Sequence, residues 1–171
     1  MTPAPAPHRS PALLADLTPR ALAVAAGAGS AALLIAALGF QWLGYAPCEL
    51  CILQRWPHLA AAVIAALILL IGFRRGLVAL GLLAAATATA FAVYHVGVEF
   101  HWWPGPTACA GGLGDMAQMN TGDLLARIRG AQVVRCDEPA WMFLGLSMAA
   151  WNALISAGLT AVWGAALVRS R

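Results

Sequence analysis

Lysine is absent from this chain of 171 residues, so all ten basic side chains are arginines. Charged residues of either sign make up only 10% of the sequence, whereas 61% is hydrophobic and the mean hydropathy is +0.77. That is too little polar surface to cover a water-soluble globule of this size, and a membrane protein is expected. A net charge of +3 gives no reason to expect nucleic acid as a partner. Periodicity is missing from the first residues, MTPAPAPHRSPA, whose proline- and alanine-rich composition predicts a disordered tail.

What the chain has in quantity is long apolar runs rich in small residues. A helix needs about 20 apolar residues to cross a hydrocarbon core of about 30 Å. Four runs qualify, at about 21–44, 56–73, 76–98 and 140–168. The first follows Arg9 and Arg20 as a secretory signal would, but its apolar core is too long for one and no clean cleavage site precedes the first cysteine. The sequence therefore predicts an all-α membrane protein, one domain over residues 1–171, built as a four-transmembrane-helix bundle. Its many Ala and Gly residues favour close helix approach where lipid offers no competing hydrophobic drive.

Arginine placement predicts the orientation. Arg9, Arg20, Arg74, Arg75, Arg169 and Arg171 fall on one side, which is expected to be cytoplasmic and to hold both termini, with residues 1–20 as a tail. The two outer loops, about 45–55 and 99–139, carry Glu49, Glu99, Asp115, Asp123, Asp137 and Glu138, and tryptophans gather at their boundary with the spans. In the long second loop, W-W-P-G-P-T-A-C at 102–109 predicts an extended, exposed approach to Cys109. Leu124, Leu125 and Ile128 share one face of a predicted short interfacial helix that follows the capping residues Asn120 to Asp123.

All four cysteines, Cys48, Cys51, Cys109 and Cys136, fall in these outer loops. In an oxidising compartment four thiols mean disulfides, and three pairings are open on sequence alone. The loop closed by C-x-x-C is too short to staple much structure, so redox work is the better reading of Cys48 and Cys51. Trp56 and Pro57 look like the start of the second helix, which would set Cys51 just ahead of a positive helix terminus with Arg55 nearby. Both effects favour thiolate, the attacking species, and Glu49 opposes them.

The stretch C-E-L-C-I-L-Q-R at 48–55, a second cysteine pair spread over the next outer loop, four spans, and F-L-G-L-S-M after Cys136 together resemble the disulfide bond formation protein B (DsbB) family, over essentially the whole chain. The resemblance implies a bacterial inner-membrane protein-dithiol:quinone oxidoreductase. Such an enzyme reoxidises a periplasmic thioredoxin-fold dithiol oxidase (DsbA-like) and passes the electrons to membrane quinone, ubiquinone or menaquinone. It assigns Cys48 and Cys51 to the quinone-facing pair, and Cys109 and Cys136 to the pair met by the partner, with Cys109 the sulfur attacked. It assigns Arg55 to the quinone site and, less sharply, His95 in preference to His101.

No metal is expected, although four thiolates could also form a zinc set. The second pair lacks C-x-x-C spacing, which counts against that alternative. A helical scaffold braced by disulfides is a further alternative, and it predicts loss of stability on reduction without turnover. Vitamin K epoxide reductase-like enzymes also couple C-x-x-C to quinone in a four-helix core, but there the quinone-facing pair belongs to a later helix.

Overall fold

The structure is a computed structural model that describes residues 17–106 and 134–171. The predicted interfacial helix around Leu124, Leu125 and Ile128, Cys109, and most of the N-terminal tail lie outside the described residues. The order of elements is α1 (Pro19–Trp42), α2 (Glu49–Ile71), α3 (Arg75–Glu99), β1 (Met142–Phe143), β2 (Leu146–Ser147) and α4 (Met148–Arg169). At 22 to 25 residues each helix is roughly 33–38 Å long, enough to cross a bilayer core. The best window of each has a mean hydropathy between 1.4 and 2.1. Large apolar side chains face outward along them, including Ile35, Leu70, Leu83 and Val168, as lipid contact requires. This is an all-α membrane protein with four spans.

Local chemistry sets the helix starts. Thr18 caps α1 by accepting from the Ala21 N–H, with proline at the first helical position. Ser147 caps α4 by accepting from the Ala150 N–H. The second helix begins at Glu49, not near Trp56 as the sequence suggested. Cys48 is its cap, its sulfur accepting the Cys51 N–H at 3.2 Å, and Glu49 sits favourably in the positive first turn. Pro57 is thus an interior proline, tolerated where the chain gives up one backbone donor. The last span starts later than expected because residues 142–147 form a hairpin. Met142 pairs with Ser147 and Phe143 with Leu146 across a turn in which Leu144 and Gly145 both have positive φ, 51° and 78°.

The helices pack in the cyclic order α1, α2, α3, α4, with α1 and α3 touching only lightly across the diagonal. At the arginine end the bundle is dense, with Leu22, Ala23, Ala65, Ile68, Val78, Trp163 and Ala166 in one buried cluster. Two close approaches need glycine there. A Cβ on Gly27 would stand 2.1 Å from that of Ala65, and one on Gly81 would strike the Trp163 ring at 2.5 Å. Arg20 adds a hydrogen bond from its Nη2 to the Leu69 carbonyl. The opposite end, where the cysteines lie, is more open and more polar.

Candidate active site

Four elements meet at that open end: the last turns of α1, the first two turns of α2, the last two turns of α3 and the start of α4, roofed by residues 134–141. They enclose a cavity of about 280 Å³. Leu33, Leu34, Ala37 and Phe40 of α1 give it an apolar wall, and Cys51, Arg55, His95 and Glu99 give it a polar end.

Cys48 and Cys51 are free thiols with their sulfurs 2.8 Å apart. The cap geometry causes this, since the sulfur of Cys48 folds over the first turn to reach the Cys51 N–H. A small side-chain rotation brings such a pair to the bonding distance of about 2.05 Å. The Cys48 thiol donates to Cys51, and that bond, followed by burial, pushes Cys48 well above the ordinary thiol range. When the pair loses one proton, the other is held on Cys48, the donor of this bond. Arg55 and Glu99 both act electrostatically on Cys51.

Arg55 leaves α2 toward α1 and donates from Nη1 to Gln41 Oε1 at 2.8 Å, while its Nε–H is buried with no acceptor among the described residues. Glu99, at the end of α3, accepts a hydrogen bond from the Ser147 hydroxyl. His95 is buried, with Nε2 3.7 Å from the Cys48 sulfur and Nδ1 2.9 Å from Gln54 Nε2. His101 is different: its side chain is 72% exposed and lies 3.9 Å from Asp137. Of the two histidines weighed from the sequence, His95 is the one beside the Cys48–Cys51 pair.

Cys136 is disulfide-bonded and fully buried, in one cluster with Cys48, Leu50 and Val98. The chain around it is pinned by Arg135, which donates to both carboxylate oxygens of Asp137 at 2.9 and 2.6 Å and reaches Glu138 at 3.5 Å. The guanidinium holds the Asp137 carboxyl down at about 2.

The ligand-type atoms of Cys48, Cys51 and His95 all lie within 4.8 Å of one another, the spacing of a three-ligand metal set. The donor pattern opposes it. Gln54 Nε2 also donates to the Leu50 carbonyl at 3.0 Å, which fixes the amide and makes His95 Nδ1 an acceptor. The neutral ring then carries its proton on Nε2, the atom a metal would need unprotonated.

Several polar residues of this region escaped the sequence reading: Gln41, Gln54, His58, Asn152 and Ser156. Gln54 and His58 follow Cys51 at helical spacing, a face visible only if α2 starts at the cysteines. Asn152 was detectable as a lone amide inside an apolar span, where polar groups are costly and carry function.

The profile of the family described as Disulfide bond formation protein DsbB matches residues 19–166. Neither a curated protein nor a solved structure gives a match. Agreement from the cap of α1 to the last turn of α4 covers all four spans and the cysteine end between them. The chain belongs to the disulfide bond formation protein DsbB family, and is a membrane oxidoreductase of disulfide-bond formation.

Proposed function

We propose that the protein reoxidises a periplasmic DsbA-like dithiol oxidase through two cysteine pairs and delivers the electrons to membrane quinone. The observation that carries this reading is the free Cys48–Cys51 pair at the cap of α2, with disulfide-bonded Cys136 buried against it and an apolar cavity opening beside Cys51.

The chemistry balances as thiol exchange. A partner thiolate attacks Cys109 of a Cys109–Cys136 disulfide, forming a mixed disulfide and releasing the Cys136 thiolate. Cys136 attacks Cys48 of an oxidised Cys48–Cys51 pair, and Cys51 leaves with the electron pair. The partner's second thiolate then resolves the mixed disulfide at its own sulfur, releasing the oxidised partner and the Cys109 thiolate. Cys109 finally attacks Cys136, so that Cys48 leaves as a thiolate and takes up a proton, and the dithiol pair remains. The two protons lost by the partner dithiol balance the two electrons now held at Cys48 and Cys51.

A quinone fits the residues present, because the buried Nε–H of Arg55 lacks an acceptor among the described residues and the α1 wall of the cavity is apolar. Bound there, it would supply the two-electron acceptor for the dithiol. Arg55 would hold it by a charge-assisted hydrogen bond and stabilise the Cys51 thiolate. The same membrane side would hold the outer loops, with both termini cytoplasmic.

The test is quinone-dependent oxidation of a reduced DsbA-like protein by the purified enzyme, with each cysteine replaced by serine in turn. Loss of turnover in all four variants is expected. Full activity in any one would overturn the relay.

A further inference from the structure

A line of hydrogen bonds leads from α4 to the cysteines, and the chemistry of each partner fixes its direction. The Leu50 carbonyl can only accept, so Gln54 turns its NH₂ group toward it and toward His95 Nδ1. Gln54 Oε1 is left as an acceptor on the far side, and the Asn152 NH₂ group serves it at 2.7 Å. Asn152 Oδ1 then faces His58 Nε2 at 3.2 Å and the Ser156 hydroxyl at 3.3 Å, and both donate to it. At the other end the His95 Nε2–H is shared between the Cys48 sulfur at 3.7 Å and the backbone carbonyl of Cys136, and the Cys48 thiol donates to Cys51. The links up to His95 donate toward the cysteine pair, and the last one is divided between Cys48 and the Cys136 carbonyl.

Gln54, His58, His95 and Ser156 are all buried, so little water competes with these bonds. Amide groups in the middle do not pass protons readily, so the line is no proton wire. Its effect is polarisation: each donor sharpens the next, and aligned donors favour negative charge where they end. We propose that Asn152 is a positioning residue that, through Gln54 and His95, sets the direction of this chain and so favours the singly deprotonated form of the Cys48–Cys51 pair. The inference deepens the relay proposed above and rests on it for its purpose, since thiolate at this pair is what the relay delivers.

Other charged or titratable groups line the cavity or sit in the first turn of α2 beside the pair. Glu49, Arg55 and His58 come from α2, and Glu99 with His95 from α3. Tyr45 follows α1, and Arg135 and Glu138 come from the roof. The stretch of α4 that lines the cavity presents no titratable side chain. Replacing Asn152 therefore changes the direction of dipoles and leaves every charge in place.

The experiment uses the reduced full-length protein and follows iodoacetamide alkylation of Cys51 against pH by peptide mass spectrometry. In Asn152→Leu the midpoint should rise by about half a unit to one unit, a loss of roughly three- to tenfold in rate near neutrality. Thr160→Val is the packing control, because it removes the 3.0 Å hydroxyl contact with Thr89 between α3 and α4, and the Thr160 bond to the Ser156 backbone carbonyl, while altering no side chain of the line. It should leave the midpoint unchanged. An unchanged midpoint in Asn152→Leu, or an equal shift in Thr160→Val, overturns the proposal. ¹⁵N spectra of the wild-type histidines give a second reading that needs no variant. His95 must carry its proton on Nε2, and a proton on Nδ1 would reverse the chain and end the idea. Neither measurement involves quinone or partner. Absence of quinone-dependent turnover would thus remove the relay alone, whereas normal turnover with an unshifted midpoint would remove the role of Asn152 alone.

Discussion

Arg55 keeps one donor on Gln41 and a second, Nε–H, buried without an acceptor among the described residues. An acceptor group entering the cavity would relieve that cost. Arg55→Ala should therefore lower quinone-dependent turnover by roughly ten- to a hundredfold, the range for a charge-assisted hydrogen bond of about 1.5–3 kcal/mol. Arg55→Lys, which keeps charge but loses the planar fork, should fall between. Wild-type kinetics in Arg55→Ala, measured on equal amounts of folded protein, would leave the residue as a membrane-edge anchor. At the second pair, Cys136→Ser should accumulate a mixed disulfide between the partner and Cys109, and peptide mapping that found the partner on Cys48 would refute the order of attack. Side-chain identity was the legible part at this scale: cysteines and a cation in an apolar chain stand out because their burial is costly. Gln54 and Asn152 did not stand out as a site, since nothing in the sequence says that an amide on α2 meets one on α4 across the bundle.

Helix α2 owes its starting point to a cysteine that is also a reactive group. Serine caps a helix well, so Cys48→Ser should lose turnover while keeping most of the stability, whereas Cys48→Ala should lose both, with an added cost of about 1 kcal/mol. Thermal unfolding of the two variants side by side separates the duties; equal melting would show that the Cys48 cap adds nothing. The sequence placed this helix start too late because Trp-Pro reads as a first turn, and only the folded cap reveals that Pro57 is interior. The hairpin before α4 was missed for a similar reason. Its turn needs positive φ at Leu144, a conformation unusual for leucine, so the run read as unbroken helix. The roof segment makes a pH prediction. Asp137 falls from an ordinary 3.8 to about 2 through its pairing with Arg135. A depressed carboxyl adds stability above its unfolded value, so the anchoring should hold above about pH 4 and be lost as pH falls from there through 2. Accessibility of Cys136 after reduction, read over that range with a dipyridyl disulfide, which still reacts with thiols in acid, should rise on acidification in wild type and be high throughout in Asp137→Asn.

As a whole the bundle divides into a close-packed arginine end and a hollow cysteine end. Gly27→Leu should be strongly destabilising, by about 1–3 kcal/mol or more, because Ala65 leaves no room. Gly39→Leu, at a position with no atom within 4 Å, should be tolerated, and equal loss in both variants would contradict the packing described. Four spans were legible because hydropathy and length are whole-segment properties; the hollow end was not, because a cavity is made by where side chains are missing. That hollow has a further consequence for traffic in electrons. Cys136 is 0% exposed and Cys48 4%, so a thiol must approach each sulfur from within the protein to attack along the disulfide axis. Small reductants in bulk water are kept from these two sulfurs by shape, whatever their potential, and the two share one buried cluster. In the proposed relay, the exchange between those two sulfurs would therefore run inside the protein, insulated from glutathione-like thiols.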